Sequence, residues 1–235
     1  MTPKFVLERF PRAIFRAAFA AAAVFAFAAT AAAQNYTAAM VTQAPPTELS
    51  TAIKGVLDSQ AIEVKDASGV LCDIWLRKDI PTVPPPGMTL GIVYPQLAPG
   101  TLVGAIRFPA EVIDFRDQKI KPGVYTLRYE LNPVDGNHQG VAPQRDFLLL
   151  GPAADDTTTD TLDFKPLVKL SKETTTHNHP SVWSLMPPDG APAQLPGVAP
   201  QDSDNGTIQV LFFQANLGAK PATMGLVVVG TSSAS

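Results

Sequence analysis

From residue 62 onward apolar side chains recur at every second position in short runs, and Gly or Pro breaks the runs apart. That period puts alternate side chains on opposite faces of a β-strand. The runs predict strands at 62–65, 70–77, 91–94, 101–108, 111–115, 125–131, 147–150, 167–170, 182–185, 208–214 and 224–229. In the second, Val70, Cys72, Ile74 and Leu76 share one face, and Asp73, Trp75 and Arg77 share the other. In the sixth, Tyr125, Leu127, Tyr129 and Leu131 face one way and Thr126, Arg128 and Glu130 the other, which reads as core against solvent. Leu211-Phe212-Phe213 and Leu226-Val227-Val228-Val229 are apolar on both faces and belong in the middle of a sheet.

One segment has helical spacing instead. Leu49, Ile53, Val56 and Leu57 recur at intervals of three and four, Thr47 can cap them, and a short helix over 47–57 is expected to pack on the sheet. Residues 34–46 show no period and read as a flexible leader. The Asp- and Thr-rich stretch 151–163 and the Pro-rich stretch 186–205 read as long loops. Many short strands spaced by turns predict an all-β fold, mainly an antiparallel β-sandwich, built as a single domain over 47–235 with one short N-terminal helix.

The first 33 residues follow another pattern. Lys4, Arg9, Arg12 and Arg16 precede an apolar run of 13 residues, 17–29, and Thr30-Ala31-Ala32-Ala33 then offers small side chains before Gln34. These are the three regions of a secretory signal peptide, with cleavage expected after Ala33. The run is shorter than the roughly 20 residues of a spanning helix, so no membrane span is expected after cleavage. Neither a twin-arginine pair nor a lipidation Cys accompanies it. Its Ala-rich character points to a bacterium, and the product is expected in the periplasm or secreted.

Removing that segment changes the composition. The whole chain carries 18 basic and 21 acidic side chains, and without Lys4, Arg9, Arg12, Arg16 and Glu8 the remainder has 14 and 20, a net charge of −6. All 16 Gly and 21 of the 23 Pro remain, as strands joined by many turns require. The longest basic cluster is the pair Arg77-Lys78, so nucleic acid is not an expected partner. Cys72, the one cysteine, has no internal disulfide partner and reads as a buried structural thiol.

The segments Gly100-Thr101-Leu102-Val103-Gly104 and Ile120-Lys121-Pro122-Gly123-Val124-Tyr125-Thr126-Leu127-Arg128-Tyr129 resemble a strand-turn-strand of bacterial exported β-sandwich domains of unknown function. The Pro-Gly-x-Tyr-x-Leu element is also similar to a strand of transthyretin-like and carboxypeptidase-regulatory-like modules. The resemblance covers about thirty residues. It implies a sandwich, and it implies no catalytic set.

Candidate chemistry is sparse. His177 and His179 bracket Asn178, and an extended backbone would set both imidazoles on one side about 7 Å apart. With His138, and Asp135 as a further ligand or as a group orienting a ring, they form a candidate Zn or Cu site. Asp202-Ser203-Asp204-Asn205-Gly206 has spaced oxygens but reads better as a tight turn than as a calcium loop, and Asp155–Asp160 is a weaker calcium candidate still. Glu130 reads as a solvent-face residue and Asp117 as a turn residue, so neither joins Asp114 in a carboxylate pair. Trp75, flanked by Asp73 and Arg77, is a candidate binding platform, unless the helix at 47–57 covers it.

No Gly-x-Ser-x-Gly, Ser-x-x-Lys or His-Glu-x-x-His motif occurs. The expected function is a non-catalytic binding or scaffolding module of the bacterial envelope, with an envelope protein or polysaccharide as its partner. A periplasmic transition-metal-binding protein using the His cluster is the alternative, and a hydrolase on a β-sandwich scaffold the third reading.

Overall fold

Alternation at period two survives into three dimensions with both faces of the sheet buried. The computed structural model describes residues 36–87, 91–133 and 144–232, which all fall within the unit Gln34–Ser235; the expected signal segment lies outside the described residues. In chain order they form β1 (Thr37–Thr42), α1 (Thr51–Val56), β2 (Gln60–Asp66), β3 (Gly69–Leu76), β4 (Leu102–Phe108), β5 (Val112–Ile113), β6 (Lys119–Ile120), β7 (Gly123–Leu131), β8 (Asp146–Pro152), α2 (Phe164–Lys172), β9 (Trp183–Met186), β10 (Gly197–Ser203), β11 (Gly206–Leu217) and β12 (Lys220–Val229). A single 3-10 turn lies at Pro188–Gly190. No helix among the described residues is long and apolar enough to cross a membrane.

Ten strands make one sheet in the order β1-β2-β3-β4-β7-β8-β9-β12-β11-β10, and β5 and β6 pair separately as a small arm. Every pairing within these strands is antiparallel. The fold is therefore all-β, as the turns and alternation predict. The two layers of the expected sandwich are opposed walls of this one sheet, which curls until its edge strands β1 and β10 meet, nearly as a barrel. Ile62, Cys72, Ile74, Ile106, Leu127 and Leu148 on one wall share a buried cluster with Leu211, Phe213, Met224 and Leu226 on the other.

The outer face is covered as well. Over β3 and β4, Leu49, Ile53 and Leu57 pack on Trp75, Leu102 and Ala105. The helix is shorter than the expected 47–57. Ser50 rather than Thr47 caps it, its hydroxyl accepting from the Ile53 N–H at 3.2 Å. Gly104 lets the backbones meet at this wall, since a Cβ there would lie 2.3 Å from the Trp75 carbonyl oxygen.

The outer face of β7 departs most from expectation. Thr126, Arg128 and Glu130 are 0%, 0% and 3% exposed, and over Thr126 and Arg128 the stretch expected to be a solvated loop at 151–163 folds back. Arg128 Nε donates to Asp156 Oδ2 at 2.6 Å and Nη2 to Oδ1 at 2.7 Å. Nη1 donates to the carbonyls of Gly100 and Asp160, Nη2 also to that of Thr158, and the Thr126 hydroxyl to Asp156. All five guanidinium donors are thereby used.

Other expectations change for local reasons. Residues 167–170 lie inside α2, not in a strand: Leu167, Leu170 and Ser171 have helical spacing, and Pro166 falls in the first turn, where its missing N–H costs no hydrogen bond. The leader at 34–46 contains β1, whose six residues all pair with β2. The Pro-rich stretch contains β10, an edge strand, which tolerates Pro200. Residues 91–94 form no strand. There Tyr94 closes one part of the interior, its hydroxyl donating to the Met186 carbonyl of β9 at 2.8 Å and accepting from the Gly225 N–H of β12 at 3.0 Å. Asp146 accepts from the Val93 and Tyr94 N–H groups and the Tyr129 hydroxyl at 2.7–2.9 Å.

Asp156→Ala leaves a buried guanidinium without its counter-charge and is expected to lower the unfolding free energy by about 3–5 kcal/mol. Asp155→Ala, one residue away on an exposed side chain, should change it by less than about 0.5 kcal/mol. Urea unfolding of both variants checks the pair.

Candidate binding cleft beneath the second helix

The sequence-predicted sites are dispersed. Trp75 is 0% exposed, with its Nε1 donating to the Gln43 carbonyl at 2.8 Å. Asp73 is equally buried, its Oδ2 accepting from Arg107 Nε and Nη2 at 3.0 and 2.7 Å. The Arg107 guanidinium lies 5.9 Å from the Trp75 ring centre. Arg77 is half-buried and donates to the Thr159 carbonyl at 3.2 Å. The expected platform is thus packing between the sheet and its covers. Alternation identifies the face opposite the core correctly, but a second layer closes it.

His177 and His179 are not on a strand. Asn178 between them has φ +52°, which turns the chain, so the extended geometry that would align the imidazoles does not form. His177 is exposed, its Nδ1 3.0 Å from the Thr176 hydroxyl, and His179 Nδ1 donates to the Pro180 carbonyl at 2.8 Å. His138 and Asp135 lie outside the described residues. Among the described residues no three of His, Cys, Asp and Glu come together as a metal ion requires. Cys72 lies inside the sheet at 1% exposure, and burial, reinforced by Asp73, pushes its thiol far above the ordinary range. A thiolate is not formed there at neutral pH.

What the fold assembles is a cleft of about 200 Å³ between α2, β8 and the β5–β6 arm. Phe164, Val168 and Lys172 recur at four-residue intervals and form one stripe of α2 along it. Phe147 and Leu149 come from the outer face of β8, Phe115 and Arg116 from the turn of the arm, and Val182 from just before β9. Asn132, Pro133 and the turn Asn178-His179-Pro180 also line the cleft.

Buried polar stitches hold these walls. Asp114 is fully buried: Oδ1 accepts from the N–H groups of Arg116 and Gln118 at 2.9 Å, and Oδ2 from Gln118 Nε2 and the Val182 N–H at 2.8 Å. One carboxylate thus ties the arm to the strand beside it. Burial raises its proton affinity, and the four donors pull the other way. On the helix side, Ser171 and Ser181 hydroxyls lie 3.0 Å apart, Ser181 N–H donates to Ser171, and Leu150 N–H donates to Ser181.

The charge of the cleft is one-sided. Among the described residues Arg116 and Lys172 line it, no Asp or Glu does, and neither cation forms an ion pair. Asn132 is only 9% exposed, and its backbone carbonyl accepts from Arg145 Nε and Nη2 at 3.1 Å. Sequence reasoning missed Arg116, Asn132, Phe164 and Lys172. The signal that could have found part of the set is the Phe164-Val168-Lys172 helical spacing.

Beside the cleft, Glu130 pairs across the ladder with Phe147. Its Oε1 accepts from the Leu131 N–H at 3.0 Å, while Oε2 has no partner among the described residues. Burial pushes its carboxyl above the ordinary range, opposed by that one hydrogen bond.

The chain matches no protein-family model, no curated protein and no solved structure.

A carboxyl with a raised folded-state pKa favours folding when protonated and opposes it increasingly as pH rises through that pKa. Glu130→Gln is therefore expected to raise the urea midpoint at pH 7–8 relative to the parent, with the difference shrinking as pH falls to about 4. A difference that does not change with pH would show that the carboxyl titrates normally.

Proposed function

We propose that this protein is an exported, non-catalytic binding module of the bacterial envelope, and that the cleft beneath α2 is its binding site. The observation that carries the reading is a ligand-sized, apolar-floored cleft whose walls are fixed by buried hydrogen bonds before any ligand arrives. Clefts of this kind, with a few convergent polar groups, are where proteins hold small molecules. At about 200 Å³ it exceeds the roughly 150 Å³ of an engineered cavity that holds benzene. It therefore suits a ring-sized group, free or carried on an envelope partner, better than a polysaccharide chain. The charged, apolar and small-residue regions of the N-terminus support export.

Two measurements separate the halves of this reading. When the full chain is expressed in a bacterium, the product in the periplasmic extract or medium should begin at Gln34 by intact mass; uncleaved protein confined to the cytoplasm overturns export. When that product is screened by amide NMR against neutral and charged ring-sized compounds, shifts should concentrate on residues 115–116, 147–149 and 164–182. Val168→Trp, which fills the cleft from the helix side, should abolish them. Shifts that survive this change, or fall elsewhere, overturn the cleft as the binding site.

A further inference from the structure

We infer that the ligand of this cleft is a small organic carboxylate: a ring-sized apolar body on Phe115, Phe147, Leu149 and Val182, with its anionic head held by Arg116, Lys172 and the Asn132 amide. The inference rests on the binding reading above and adds the chemical class. Three observations carry it.

First, the cleft has the wrong balance of charge for a cation and the right one for an anion. Two cationic side chains line it, and no carboxylate is among the described lining residues, although acidic residues outnumber basic ones in the chain as a whole. Arg116 and Lys172 share this one cleft, and neither forms an ion pair with a described residue. An apolar floor strengthens their attraction for an anion, because the ligand excludes water from between the charges.

Second, Asn132 lines the same cleft, and its side-chain amide carries two N–H donors for a carboxylate, which accepts several hydrogen bonds.

Third, size excludes larger anions with long bodies. The cleft holds one ring or a short branched chain. Its apolar side chains supply most of the lining and a few polar donors share it, the mixture that a small molecule with an apolar body and a polar group fits.

The test uses the exported product with three probes of one shape and different charge: benzoate, benzamide and benzylammonium. Benzoate is expected to shift cleft amides and to bind at least about tenfold tighter than benzamide, with benzylammonium weaker still. Lys172→Gln and Arg116→Gln should each weaken benzoate about tenfold while leaving benzamide within about twofold, and raising salt should weaken benzoate alone. If benzamide or benzylammonium binds in the cleft as well as benzoate, the carboxylate assignment is overturned while the cleft stands as a binding site. If benzoate binding survives the double change at Arg116 and Lys172, the assignment is likewise overturned. If none of the three shifts a cleft amide at millimolar concentration, both the class and the binding reading fall.

Discussion

A guanidinium removed wholly from water must have each of its five N–H groups partnered, and in this protein that demand organises the cover of the sheet. Arg128 stands in the middle of β7, and no neighbouring strand supplies a counter-charge. The chain after β8 therefore has to return across β7, delivering Asp156 for the charge and the carbonyls of Thr158 and Asp160 for the remaining donors. That return path sets where the following helix begins, and with it the wall of the cleft. The pair need not add much net stability, since desolvating two charges offsets most of their attraction. What it adds is specificity, because alternative paths for this segment would leave a charge buried and alone.

The same economy of buried polar groups recurs at smaller scale. Asp114 spends all its accepting capacity on the arm and on the strand beside it, and two serine hydroxyls lock the end of α2 to β8. Apolar contact makes these elements adhere, but it is non-directional and would allow them to slide. The hydrogen bonds fix register. A cleft walled by three separate elements keeps one shape only because each wall is tied at a definite atom, which lowers the ordering cost of binding.

Much of the fold was legible because period two is a physical consequence of the strand. Cys72, Ile74 and Leu76 lie on the inner face as the alternation predicts, with Leu71 rather than Val70 joining them beside a bulge, and the Asp204-Asn205 hairpin forms where Asn-Gly predicts a turn. The failures share a cause. Alternation distinguishes two faces without stating what lies over the second, so Trp75 read as a platform and Arg128 and Glu130 as solvent-facing, although all three are covered. Edge strands escape notice for the opposite reason: β1 and β10 bury little, so their residues need no apolar period, and pairing alone defines them. α2 was hidden in a short apolar run, with its stripe spread over nine residues. The cleft was illegible because Arg116, Asn132 and Lys172 converge only through tertiary structure.

β9 joins the larger part of the sheet to the three strands β10–β12, and it does so narrowly. Two residue pairs link it to β8 and two to β12, whereas β11 and β12 are paired along nearly their whole length. The Tyr94 hydroxyl spans this seam, bonded to a backbone group on either side. Mechanically the sheet is two stiff plates on a thin hinge, bolted there by Tyr94 and clasped elsewhere by the backbone bonds of Ile80 to Asn216 and Gly218. Opening of that seam exposes the interior at a lower free energy than melting either plate, so amide exchange and proteolysis should sample the molecule there first.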